Sequence, residues 1–103
     1  MSYAQRLTLH APRWEAPALG DFVEACIRDG VVLVCVVGND SEKVEDVIDE
    51  LVVGDGGDRS RFISTTSHPG ETLAEVMAFA KAWTLGVDPA LDVQEVRLPG
   101  ALI

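Results

Sequence analysis

The longest uninterrupted apolar run in the chain is Val31–Val37, VVLVCVV. A run of this length without polar alternation predicts a strand buried on both faces, central in a sheet that helices cover on either side. On both sides of it the period changes. Leu19, Phe22, Val23, Cys26 and Ile27 fall at i, i+3, i+4, i+7 and i+8, which is one face of a helix entered at Pro17 and stopped at Gly30. After Gly38 the same spacing returns in Val44, Val47, Ile48, Leu51 and Val52. Asn39 with Glu42 has the separation of a capping box for the start of this second helix, and Gly54 ends it before the loop at 55–58.

Arg61–Thr66, RFISTT, is rich in β-branched and aromatic residues and predicts a second strand. Ser67-His68-Pro69-Gly70-Glu71 then reads as a turn, with Pro69 and Glu71 suited to the first turn of a third helix. That helix carries Leu73, Val76, Met77 and Ala80, widened by Ala74, Phe79 and Trp83. So broad an apolar arc makes it the helix expected to be most buried, ending at Gly86 and Pro89. Val93–Leu98 alternates weakly and carries charge, as an edge strand does, before Pro99-Gly100. At the other end, Arg6–His10 alternates Leu7 and Leu9 with polar residues and predicts a short, half-buried edge strand. Trp14, between Pro12 and Pro17, is expected to fold back over an edge of the core.

Strands separated by helices of this length pair in parallel through right-handed crossovers. The expected fold is a small single-domain α/β open sheet over residues 1–103, mostly parallel. It has three to four strands, Val31–Val37 central, and about three helices packed on both faces. For the three clear strands, numbered along the chain, the order 2-1-3 places the second and third helices on opposite faces. The alternative 1-2-3 places them on one.

Composition adds a strong constraint. The 103 residues carry a net charge of −9 with a pI near 4.4. That argues against nucleic acid or an anionic membrane as partner, since both require a cationic face. The charge is also unevenly placed. Residues 40–58 hold eight acids against Lys43, so −7 of the −9 belongs to the second helix and its loop. Glu42/Asp46, Glu45/Asp49 and Asp46/Glu50 are like-charged i,i+4 pairs, each destabilising by roughly 0.2–0.5 kcal/mol. A solvated face that favours solubility accounts for such a helix. The functional alternative is a docking surface for a basic protein, made of Glu42, Glu45, Asp46, Asp49 and Glu50.

The chemistry-bearing residues gather at two strand ends. If Val31–Val37 and Arg61–Thr66 are parallel neighbours, Asn39, Asp40 and Ser41 meet Thr65, Thr66, Ser67 and His68 where helix N-termini favour a small anionic ligand. Ser, Thr, Asn and Asp are also what helix caps use. His68 is either an exposed turn residue or a general acid or base. No phosphate-binding GxxxxGK[ST] or GxGxxG supports an anion site. A Ser-His-Asp set drawn from Ser41 or Ser67, His68 and Asp40 lacks the GxSxG elbow, and Asp40 lacks a second acid for magnesium. No catalytic residue, metal ligand or cofactor is therefore assigned, and an enzyme is not favoured.

Cys26 and Cys35 fall on core positions and are expected to be inert apolar residues rather than a disulfide framework or zinc ligands. With no leader-like segment and no run of about 18 apolar residues, the cytoplasm is the expected compartment and no membrane contact is expected. The reading that follows is a small acidic binding protein that docks a basic partner through the helix at 40–54. An inhibitor or immunity protein fits the size and charge. A small-molecule site at the two strand ends, of a binding or an enzymatic kind, is the alternative. An edge such as Val93–Leu98 offers a route to a homodimer, unless Glu95 and Arg97 guard it.

Overall fold

The run at Val31–Val37 yields strand β2, Leu33–Val37, with every residue buried. Val31 and Val32 precede it as connector, their N–H groups donating to Cys26 O at 3.0 Å and Gln5 O at 2.8 Å. The computed structural model describes residues 2–13, 17–58 and 61–98; Trp14 and the Pro99-Gly100 stop lie outside them. The remaining elements are β1 (Arg6–His10), α1 (Ala18–Asp29), α2 (Ser41–Val53), β3 (Ser64–His68), α3 (Leu73–Ala82) and β4 (Val93–Val96). All strand pairs are parallel and the order is β3-β2-β1-β4. This is the small single-domain α/β fold with helices on both faces.

The relative order of the three clear strands is 2-1-3 as expected, but β1 inserts between β2 and β4. The N-terminal strand is thus interior, not a half-buried edge: Arg6, Leu7, Thr8 and Leu9 are all buried. The β1-α1-β2 and β2-α2-β3 crossovers step the same way along the sheet, so their helices share a face. The step from β3 back to β4 puts α3 on the other. Side-chain parity follows. Leu7, Leu9, Val34, Val36 and Val96 join the larger core with Phe22, Val23, Val44 and Ile48. Leu33, Cys35, Val37 and Val93 face α3 and form a smaller core with Val76 and Ala80.

Helix α1 ends as predicted at Gly30, whose φ of 79° is left-handed and whose N–H donates to the last turn. Two other helix expectations fail. Helix α2 starts from Asp40, with no side-chain hydrogen bond, so the Asn39–Glu42 capping box does not form. Helix α3 is the least buried of the three, with only Val76 and Ala80 fully covered, because it packs on β1, β2 and β4 through one narrow stripe. Its capping box is Thr72–Glu75, two residues beyond the Pro69-Gly70 turn, and it ends at Ala82 rather than at Gly86.

Arg6 explains how a polar residue tolerates an interior strand. Its side chain passes under the end of α3, where Nη1 donates to Ala80 O at 3.2 Å, Lys81 O at 3.0 Å and Trp83 O at 3.0 Å. Nη2 donates to Leu91 O. A cation at a helix C-terminus meets both the unpaired carbonyls and the negative end of the dipole. Arg61 plays the same part for α2. It donates to Val52 O and Leu51 O, each at 2.9 Å, and grips Glu24 of α1 at 3.0 and 2.7 Å. The second strand begins at Ser64 and not at Arg61, because its ladder with β2 starts at the pair Leu33 and Ser64.

Candidate functional site

Strands β2 and β3 are neighbours in register, Val37 opposite His68, so Asn39, Asp40 and Ser41 do lie at the same sheet end as the residues of β3. Gly38 makes the turn with φ 125°, and a Cβ there would sit 3.3 Å from Ala11 Cβ, a fit that leaves little room for a side chain. Asn39 and Asp40 are exposed, whereas Ser41 is fully buried as the first residue of α2 and its Oγ has no hydrogen-bond partner.

The four β3 residues do not converge on one crevice. All four are in the strand, and alternate side chains of a strand point to opposite faces. Thr65 turns to α2, where its Oγ1 bonds Asp49, and Ser67 shares that parity. Thr66 and His68 turn to α3. There Thr66 Oγ1 meets His68 Nε2 at 2.7 Å, and His68 Nδ1 meets Glu71 Oε2 at 2.9 Å. The imidazole is buried, not an exposed turn residue, and rests against the edge of Phe79 at 4.8 Å between ring centres. A hydroxyl–imidazole–carboxylate chain can pass a proton along its length. Glu71, placed by the sequence in a helix turn, is the member that went unnoticed; its distance of three residues from His68 is the available signal.

Cys35 lies beside this chain, opposite Thr66. Burial pushes its thiol up to about 11, against a hydrogen bond from Thr66 that pulls the other way. Burial likewise pushes Cys26 up to about 12. Neither is a thiolate nucleophile near neutral pH. Among the described residues no group of three His, Cys, Asp or Glu side chains is arranged to hold a metal ion.

The place where strand order reverses is a different part of the sheet from that of Asn39, Asp40, Ser41 and β3. It falls between β1 and β4, and its carboxyl end is closed by His10 Nε2 and Glu95 Oε2 at 2.5 Å, with Arg97 3.4 Å from the same oxygen. Sequence reading missed His10 and Glu95 because it set β1 at an edge.

The acidic surface is formed as one face. Glu42, Asp46, Asp49 and Glu50 are exposed along α2 and Glu45 is half-buried. At the helix end Val53, 57% exposed, adjoins Asp49, Glu50 and Gly54 around a shallow depression of about 350 Å³. Asp49 has a second task, the bond to Thr65 that ties α2 to the outermost strand.

Residues 8–98 match the family described as Domain of unknown function (DUF7684). The chain belongs to the DUF7684 family. The match runs from within β1 to just past β4, so both the acidic helix and the Thr66–His68–Glu71 chain lie inside the DUF7684 domain. No curated protein and no solved structure matches the sequence. No helix among the described residues of this DUF7684 protein is long and apolar enough to cross a membrane.

Proposed function

We propose that this DUF7684 protein is a binding module that docks a basic protein through the outer face of α2. The observation that carries the reading is one helical face that bears Glu42, Asp46, Asp49 and Glu50 and ends at an exposed apolar residue, Val53, beside the last two of them. Interfaces join an apolar centre to a polar rim, and a dense field of one sign steers the opposite sign to it. Lys or Arg side chains brought to this face also relieve the i,i+4 repulsions within it. Inhibition of a basic nuclease or toxin is the kind of role that suits so small and acidic a domain.

The test is a triple variant, Glu42→Gln, Asp46→Asn and Glu50→Gln, which spares Asp49 and its bond to β3. Immobilised parent protein should retain basic proteins from a native extract, released by salt, and the variant should not. An identical set of bound proteins on both would overturn the reading.

A second reading is supported by the Thr66–His68–Glu71 hydrogen-bond chain: a small polar ligand bound at the α3 side of the β3 end. It expects a metabolite that raises the melting temperature of the parent but not of His68→Gln. A flat response across a broad panel would remove it.

A further inference from the structure

We infer that the outer edge of β3 is a strand-addition site, which takes an extended segment of the partner whose residues alternate basic and apolar. The choice of a basic occupant rests on the acidic-face reading; the edge itself rests on separate observations.

In the parallel ladder, Ser64 N–H donates inward to Val32 O at 2.9 Å. Alternate residues of a parallel strand turn both backbone groups to the same side. Thr66 and His68 therefore also face β2, and Thr65 and Ser67 direct N–H and C=O away from the sheet. Among the described residues, no strand pairs with that side. The two sheet edges are also unlike. On β4, Glu95 with Arg97 beside it supplies the charges that discourage edge pairing. The β3 sequence STTSH holds no Asp, Glu, Lys or Pro.

The flanks of this edge differ in chemistry on its two faces. On the α2 side stands Asp49, hydrogen-bonded to Thr65, with the exposed Glu50 next to it in the helix. On the α3 side Phe62 is 72% and Leu85 73% exposed, and with Val32 and Trp83 they line a groove of about 390 Å³. A fifth strand beside β3 would send its side chains alternately to these faces, Lys or Arg toward α2 and aliphatic groups toward Phe62 and Leu85. A second copy of this chain is the wrong occupant, because edge-to-edge pairing would set two helices of strong negative charge side by side.

The test uses the full chain and an acetylated, amidated octapeptide in which Lys alternates with Val or Leu, followed by backbone NMR at physiological salt. The peptide should shift and protect the Thr65 and Ser67 amides. N-methylation of one alternate set of peptide amides should weaken binding about tenfold or more, through loss of backbone hydrogen bonds, while methylation of the other set leaves it intact. Ser67→Pro, which removes one outward donor but no inward one, should match the harmful set. If both methylated sets bind like the parent peptide and the shifts stay on α2, strand addition is wrong and the acidic-face reading stands. If the edge binds equally in the Glu42/Asp46/Glu50 variant, the charge reading is wrong. A β3-mediated dimer without peptide, or no binding of any peptide, overturns the inference.

Discussion

Replacement of Arg6 by Met tests whether a guanidinium, and not apolar packing, holds α3 to the sheet. Met preserves most of the buried stem and removes the donors. Four carbonyl oxygens then lose a cationic partner: those of Ala80, Lys81, Trp83 and Leu91. Ala80 O keeps the Trp83 N–H at 3.2 Å, so the loss falls mainly on the other three. Hydrogen bonds to a charged group contribute about 1.5–3 kcal/mol each, while return of the guanidinium to water recovers several kcal/mol of its desolvation penalty. The balance is a loss of about 3 kcal/mol, or roughly 12–24 °C in melting temperature for a domain near this size. Arg6→Lys keeps the charge but not the fork that reaches several carbonyls at once, and should fall about midway. Urea unfolding measures both differences, and hydrogen exchange should quicken first in residues 80–91. A Met variant within about 0.5 kcal/mol of the parent would refute the argument, because the carbonyls stripped of their donor would then cost no more than the desolvation recovered.

Three further outcomes follow from other contacts. The Arg61 hydrogen bonds hold the Glu24 carboxyl below its usual 4.5, so that contribution is complete above this value and fades as pH falls through the lower, folded-state value; acid titration of stability should be shallower below pH 4.5 in Glu24→Gln, and an unchanged slope would count against the contact. Ile48, fully buried between α2 and the sheet, should cost about 2–5 kcal/mol when cut to Ala, as read by urea unfolding. Cys26 and Cys35, with thiols pushed up to about 12 and about 11, should resist a thiol reagent at pH 8 in the native protein and react at once in denaturant; rapid native labelling of either would contradict its burial.

What the sequence made legible was whatever one face could decide. The run in β2 and the stripes of α1 and α2 bury the side chains that their periods select. Arg6–His10 was placed in sequence but misplaced in space. Alternation normally marks a strand with one wet face, yet here the polar side chains find partners within the fold, although Arg6 Nε stays buried without one. Arg6 meets the end of α3, and Thr8 Oγ1 donates to Met77 Sδ at 3.2 Å. Such partners are 69 or more residues away and leave no local trace. The misplacement carried over to the site, since with β1 at the rim the reversal of strand order could not be set at His10 and Glu95. The expected crevice failed for a simpler reason. Thr65 through His68 were read as a strand end and a turn, where neighbours can converge, but they form one strand, where neighbours diverge. The acidic face needed no tertiary information, because α2 is regular and its charges are spaced along it.

The two cores differ in thickness, and the difference governs how the molecule comes apart. The α1/α2 side unites side chains from two helices and all four strands or their flanks, whereas the α3 side rests, among the described residues, on six buried apolar ones. Local opening costs least where few apolar contacts must be broken. This domain therefore loosens in stages: α3 lifts from a sheet that stays folded, and β2 with its α1/α2 roof is the last unit to exchange its amides. The acidic helix belongs to the slow half of the molecule, so the surface that it presents survives fluctuations that undo the opposite layer.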